Sequence, residues 1–382
     1  MLASYLSELG FSALQIGAIV TATLLGSAVV TLAAGLLSNR LDPYRVLSWA
    51  TVLMLATGLG FAAVTDFWPL MLVAFAGTMN PSAGDVSVFL PTEQSLLTGV
   101  VSPRERTALF ARYNLGGAFA GALGALASGI PVYVAHNFSL DLDAVQRLGF
   151  LGYAAVAVVI AWLYRGLAMR APVSRVALRG SPLRESRRVV LKLSALFSLD
   201  SFGGGLVVQS LLVLWLFERF DLSVAVTGTV FFATGILSAF SQLASSWLAS
   251  RIGLIRTMVF THLPANGFLI LAALMPTAPL AVLFLLLRMA LSQMDVPARQ
   301  SYVMAVVPPE ERPAAASITN VPRSLASALT PFLAGAMLHA TTFGWPLIAA
   351  GLLKIVYDLL LLWQFQHVRP PEEGATQRSV LD

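Results

Sequence analysis

Five apolar stretches of this sequence carry groups that apolar sequence rarely holds. One has Asn80, Asp85, Glu93 and Gln94, with Pro81 and Pro91 loosening it. Another has Asp200 in Leu199-Asp200-Ser201-Phe202-Gly203-Gly204-Gly205, followed by Gln209. A third has Arg288, Ser292, Asp295 and Arg299, and a fourth has Asn320 and Arg323. The last has Lys354 and Asp358. An ionisable group in hydrocarbon costs at least about 2.5–3.5 kcal/mol, so it faces a cavity or a partner. Arg288, Ser292, Asp295 and Arg299 follow in steps of 4, 3 and 4, which puts them along one helix face. Asp295 can then pair with Arg299 one turn on. Lys354 and Asp358, four apart, read as a structural pair. Asp200 has no partner nearby in sequence, and a carboxylate kept from water can load and release a proton. Gly203, Gly204 and Gly205 would let the chain bend or approach another group closely.

The elements that position these groups follow from composition. Of 382 residues, 57% are hydrophobic and 11% charged, against roughly 25% charged in soluble domains. Too little polar surface exists to cover such a chain in water. Soluble enzymes, disordered proteins and nucleic-acid binders are poor fits. Cysteine is absent, which excludes disulfides, iron–sulfur clusters and thiol chemistry. The four histidines (His136, His262, His339, His367) are scattered without metal-ligand spacing. No Gly-x-x-x-x-Gly-Lys-Ser/Thr loop and no Gly-x-Ser-x-Gly turn occurs, so neither ATP-driven transport nor serine hydrolysis is marked. No cofactor and no enzymatic activity are expected.

A membrane-crossing helix needs about 20 mostly apolar residues. Eleven spans are predicted, at 15–37, 46–64, 68–97, 107–134, 147–165, 191–217, 225–248, 257–275, 278–303, 313–340 and 344–365. Their alternate loops divide the basic residues unevenly. Seventeen of the 24 Lys and Arg fall on one side, including Arg40, Arg45, Arg251, Arg256 and a cluster between Arg165 and Lys192. Only Arg147 and Arg219 fall opposite, and five lie inside spans. The positive-inside rule makes the rich side, and the C-terminus, cytoplasmic. The net charge of +5 reflects these loops, not a nucleic-acid partner. The expected organisation is a transmembrane bundle over 1–166, a basic linker over 167–190, a second bundle over 191–366 and a tail over 367–382. Trp68, Tyr133, Trp215 and Trp345, near span ends, are expected as interfacial anchors.

The halves repeat each other. Val-Ser-Pro-Arg-Glu-Arg begins at 101 and leads to Asn114; Val-Pro-Pro-Glu-Glu-Arg begins at 307 and leads to Asn320. Gln94-Ser95 matches Gln300-Ser301 at the same offset of 206. Gly17, Arg40 and Arg45 match Gly228, Arg251 and Arg256 at an offset of 211. Such near-constant offsets point to duplication. A partner for 191–217 would lie before and around residue 1, and residues 1–14 read as its last turn and outer loop. The expectation is a start codon further upstream, with a genuine eleven-helix chain as the alternative.

Here the sequence resembles the major facilitator superfamily of secondary transporters. The resemblance rests on the two halves, the basic central linker and Gly35-Leu-Leu-Ser-Asn39-Arg40-Leu-Asp42-Pro-Tyr-Arg45, where the family has Gly-x-x-x-Asp-Arg-x-Gly-Arg-Arg. Asn39 replaces the usual Asp; the second copy, Ala249-Ser250-Arg251-Ile-Gly253-Leu-Ile-Arg256, also lacks it. The resemblance implies an all-α membrane fold of two pseudo-symmetric bundles, with about 11 transmembrane helices where the family has twelve. It implies gating roles for Arg40, Arg45, Arg251 and Arg256, with Glu93 and Arg299 near inner helix ends. It also implies that the stretches holding Asn80, Asp85, Asp200, Gln209, Arg288, Asp295 and Arg323 line a central cavity for substrate or proton. The Gly-Pro step of drug–proton antiporters is missing; Gly116, Gly117, Gly121, Gly124 and Gly129 read as close helix packing. The expected function is secondary transport of a small solute, driven by protons, by a monomer in the cell inner membrane. Drug or metabolite efflux, and a non-transporting membrane sensor, are the alternatives.

Overall fold

The structure, a computed structural model, describes residues 2–11, 13–37, 41–79, 87–127, 130–170, 183–222 and 224–368. Among them the only regular elements are helices. The first half holds α1 (Leu2–Glu8), α2 (Ala13–Leu36), α3 (Pro43–Ala63), α4 (Phe67–Ala76), α5 (Phe89–Thr98), α6 (Arg106–Ala127), α7 (Ile130–Phe138) and α8 (Leu142–Arg170). The second holds α9 (Arg187–Gly205), α10 (Gln209–Phe220), α11 (Val224–Ile252), α12 (Leu254–Leu274), α13 (Ala278–Ser292), α14 (Asp295–Ala305), α15 (Arg312–Ala340) and α16 (Trp345–Phe365). Seven segments among the described residues are long and apolar enough to cross a membrane. Large apolar side chains stand on helix surfaces, Trp49, Trp162 and Phe332 among them, as lipid-facing helices require. The chain is a multi-pass membrane protein.

Packing divides the chain into two compact units. One comprises Met1–Leu96, Phe119–Arg184 and Glu310–Ser317; the other comprises Leu97–Ala118, Glu185–Pro309 and Ile318–Asp382. The first unit centres on Tyr5, Phe61 and Phe150. Phe61 stacks on Phe150 with centroids 5.4 Å apart, Tyr5 meets Phe150 edge-on, and the Tyr5 hydroxyl donates to the Phe61 carbonyl. Gly58 lets α8 approach α3: a Cβ there would stand 2.8 Å from the Phe150 carbonyl oxygen. The second unit buries Leu212, Trp215, Leu216, Leu269, Leu285 and Leu347 together. Trp215 is therefore fully buried, a correction to its reading as an interfacial anchor. Its ring packs under the Gly344 turn, and the Arg219 guanidinium lies 6.0 Å from its centroid. Trp68, Tyr133 and Trp345 are exposed.

Three spans read as continuous are broken. The 68–97 stretch leaves the helix after Ala76, at an extended Gly77, and is helical again from Phe89. The 191–217 stretch ends as a helix at Gly205 and restarts at Gln209; three successive glycines weaken the helix there. The 278–303 stretch breaks at Gln293-Met294. Pro297 has no N–H to give the Gln293 carbonyl, and its ring clashes with that group in a continuous helix. Beside the break the Ser245 hydroxyl donates to the Met294 carbonyl at 2.6 Å. Such breaks survive in membranes only where protein re-satisfies the backbone. Among the described residues nothing stands within 4 Å of a Cβ added at Gly116, Gly117, Gly121 or Gly124, so the close helix packing expected of them is not seen there. Gly129 lies outside the described residues.

The repeat is visible in the backbone. Pro103–Glu105 forms one turn of 3-10 helix leading into α6 at Arg106. Pro309–Glu311 does the same before α15 at Arg312, at the same offset of 206. In the first copy Ser102 and Glu105 make a reciprocal cap, and the Ser102 hydroxyl and N–H hold the exposed Glu105 carboxyl below its ordinary pKa. In the second copy Glu311 is buried and accepts the Arg184 backbone N–H at 2.6 Å.

Candidate functional site

Five charged residues of the second unit, Asp200, Asp295, Arg299, Lys354 and Asp358, meet with His262 and Asn266 in one buried network. Its frame is the pair α12 and α16. Gly351 lets them close: a Cβ there would stand 3.0 Å from the Asn266 carbonyl oxygen. His262 and Asn266 lie four apart on α12, and Lys354 and Asp358 lie four apart on α16, so each pair shares a helix face. Pro264 sits between the first two within α12. Helix α9 adds Asp200 and α14 adds Asp295 and Arg299. All of these side chains are nearly inaccessible to solvent.

Lys354 Nζ donates to Asp200 Oδ1 at 2.6 Å. Gly203, one turn after Asp200, leaves room for the lysine stem; a Cβ there would stand 3.1 Å from Lys354 Cγ. Arg299 reaches Asp200 Oδ2 at 3.5 Å and Asp295 Oδ2 at 3.2 Å, with its guanidinium 5.5 Å from the Phe197 ring centroid. Asp295 opens α14, where the helix N-terminus favours negative charge. His262 Nδ1 lies 2.9 Å from Asp358 Oδ1, and its Nε2 lies 3.8 Å from Asp200 Oδ1. Asn266 Nδ2 donates to Asp358 Oδ2 at 3.0 Å. Tyr357 closes the network edge-on to the His262 ring at 6.0 Å.

The sequence reading and the structure agree on the Asp295–Arg299 contact. The Lys354–Asp358 pair is a correction: Lys354 binds Asp200 and Asp358 binds His262. Residues four apart on a helix can equally face a common third helix, and α9 and α12 hold the nearer counter-charges. His262 and Asn266 were missed. The available signal was a His and an Asn one turn apart inside an apolar stretch.

Arg288 lies on α13, half-buried, with Nε buried and lacking a hydrogen-bond partner among the described residues; its NH1 contacts the Met289 sulfur at 3.2 Å. Arg323 on α15 likewise has a buried, unpartnered Nε. Gln209 is exposed at the start of α10. Asn80, Asp85 and Arg40 lie outside the described residues. Arg45 is exposed near the start of α3, whose first N–H groups at Tyr44 and Arg45 are capped by Asp42. Glu93 accepts the Tyr164 hydroxyl. Arg251 and Arg256 are exposed, the former over the Trp247 ring.

The chain matches the model of the Major Facilitator Superfamily over residues 1–294 and again over 265–380. It is 26% identical to the uncharacterized membrane protein YJR124C of Saccharomyces cerevisiae, over 96% of this chain and 89% of that one. Its fold is similar to that of the human organic anion transporter MFSD10, with a TM-score of 0.70 and 17% identity over 94% of this chain and 88% of that one. It is similar also to the proton:xylose symporter XylE, with a TM-score of 0.71 and 15% identity over 94% and 89%. The fucose transporter FucP in its outward conformation gives a TM-score of 0.71 and 13% identity over 94% and 95%. With a helical multi-pass fold and family matches that together run from end to end, the chain belongs to the Major Facilitator Superfamily of transporters.

Proposed function

We propose that the chain is a secondary active transporter that moves a small acidic solute by alternating access, driven by protons. The observation that carries this reading is the buried network of Asp200, Lys354, Arg299, Asp295, His262 and Asp358. Ionisable groups at that depth are costly and commonly mark ion or proton pathways. Two of the helices that hold them break beside the charged residues, and discontinuous helices often surround binding sites in secondary transporters. An acidic solute is favoured because Arg288 and Arg323 each keep a buried Nε without a partner among the described residues, and a guanidinium binds carboxylate or phosphate through paired N–H groups. The organic anion specificity of MFSD10 is in keeping with that reading.

The positive-inside count supports a cytoplasmic C-terminus. Arg45, Arg251, Arg256 and Glu93, with Arg40 beyond the described residues, then serve the cytoplasmic gate. The test is reconstitution of the full chain into liposomes with an imposed pH gradient. Carboxylates, phosphate esters and neutral sugars would be presented in turn. Gradient-driven accumulation of one anionic class, abolished by Asp200→Asn, is expected. Flux unchanged by the gradient, or unchanged in Asp200→Asn, would overturn the coupling. A sugar preference would overturn the anionic assignment.

A further inference from the structure

We infer that His262, absent from the sequence-based set of functional residues, is the seat of the transported proton, with Asp200 as its exchange partner. This inference rests on the reading of proton-driven transport above. Asp200, Asp295 and Asp358 supply three buried carboxylates. Arg299 and Lys354 pair with Asp200 and Asp295, whereas among the described residues the ion-pair partner of Asp358 is His262. A buried carboxylate without a counter-charge is unfavourable, and a protonated His262 supplies one to Asp358. His262 is the group in the right place, since its two ring nitrogens face two different carboxylates: Nδ1 at 2.9 Å from Asp358 and Nε2 at 3.8 Å from Asp200. Only the imidazolium offers a donor to each.

Every packed element contributes to the field around the ring. Helix α16 presents Asp358, Lys354 and Tyr357; α9 presents Asp200; α14 presents Arg299 and Asp295; α12 itself presents Asn266. Arg288, on α13, acts on Asp200 through space without an ion pair to it among the described residues.

A transfer step follows from these contacts. Asp200 Oδ1 is held by Lys354 at 2.6 Å and stands 3.8 Å from Nε2. When Lys354 leaves Asp200, the proton on Nε2 moves to Asp200 Oδ1. The product is a neutral imidazole, whose Nδ1–H still donates to Asp358, beside a neutral carboxylic acid. The proton leaves from Asp200, and the ring takes up another from the opposite side in the next cycle. Proton release is thereby tied to breakage of the Lys354–Asp200 contact, a joint between two helices.

The experiment needs no identified solute. The triple variant His136→Gln, His339→Gln, His367→Gln keeps His262 as the sole histidine and touches none of the network. Labelled with 15N-histidine in lipid nanodiscs, it gives the protonation state of one ring by NMR. The expected result is an imidazolium that reversibly gives up one proton between about pH 5 and pH 9, and that is no longer doubly protonated at neutral pH once Asp358→Asn is added. A ring neutral throughout that range, or charged throughout it, overturns the inference. In liposomes, His262→Gln is expected to lose gradient-driven accumulation; unchanged pH dependence of flux in that variant also overturns it. Should the chain move no solute at all, the transport reading fails, while the NMR titration reports on the ring separately.

Discussion

Lys354 and Asp200, 154 residues apart, meet at 2.6 Å in the interior of the second unit. Neither has a solvent route to charge neutralisation, so each depends on the other. Lys354→Ala leaves the buried Asp200 carboxylate with only the longer contacts to Arg299 at 3.5 Å and His262 at 3.8 Å, and breaking a buried pair from one side costs about 3–5 kcal/mol. The double variant Lys354→Ala, Asp200→Ala removes both charges and should be less destabilised than Lys354→Ala. Apparent melting temperatures of the parent, Lys354→Ala, Asp200→Ala and the double variant in one detergent would check this. Additive losses would contradict the pairing.

Glycine positions should separate sharply. An added Cβ at Gly205 would collide with the Thr330 hydroxyl and the Ser327 carbonyl, both on α15. Gly205→Ala should lower the melting temperature by an amount corresponding to about 1–3 kcal/mol. Gly116→Ala and Gly117→Ala meet nothing within 4 Å, and alanine favours helix by roughly 1 kcal/mol over glycine. They should be neutral or stabilising in the same assay.

Arg288 and Arg299 are both arginines within the membrane, yet their substitution should read differently. Arg299 holds two carboxylates, so Arg299→Ala should cost both folding stability and flux. Arg288 holds none among the described residues. Arg288→Ala should move the melting temperature by no more than about 1 kcal/mol equivalent while weakening anion binding about tenfold or more, the worth of about 1.4 kcal/mol. Isothermal titration with the transported anion would decide.

Asn114 and Gln300 exchange amide hydrogen bonds at 2.9 and 3.3 Å, joining α6 to α14. The chain has no cysteine, so Asn114→Cys with Gln300→Cys gives a pair free of background. A short thiol-specific cross-linker should couple the two in membranes and slow transport, with recovery on cleavage of the linker. A protein that cross-links fully and transports at the uncoupled rate would show that this contact does not open in the cycle.

What sequence alone revealed depended on distance along the chain. The Asp295–Arg299 contact was legible because both residues sit on one helix, four apart. The membrane character was legible because lipid demands long apolar helices. The duplicated turns at Pro103 and Pro309 were legible because their residues repeat at a fixed offset. His262–Asp358 was not, because 96 residues separate the pair and nothing local says which face of α12 meets α16. Helix spacing shows only local partners, so it points Lys354 at Asp358, whereas the carboxylate on α9 is the closer fit. Position near a span end does not show whether that end is covered, and so does not distinguish the buried Trp215 from a surface anchor. The breaks at 77–79, 206–208 and 293–294 were hidden because hydropathy taken over a whole span does not resolve a local interruption; Gly77, Gly203–Gly205 and Pro297 carried the signal.

Glu105 and Glu311 occupy equivalent places in two turns of the same backbone design. The first stays at home with Ser102, and the second reaches the Arg184 N–H at the start of the second half. The later copy has Pro308 where the first has Ser102, and proline offers neither a hydroxyl nor an N–H to a carboxylate. Glu311 instead holds the chain where it enters the second half, so one backbone turn serves in one place as a self-contained cap and in the other as a fastening.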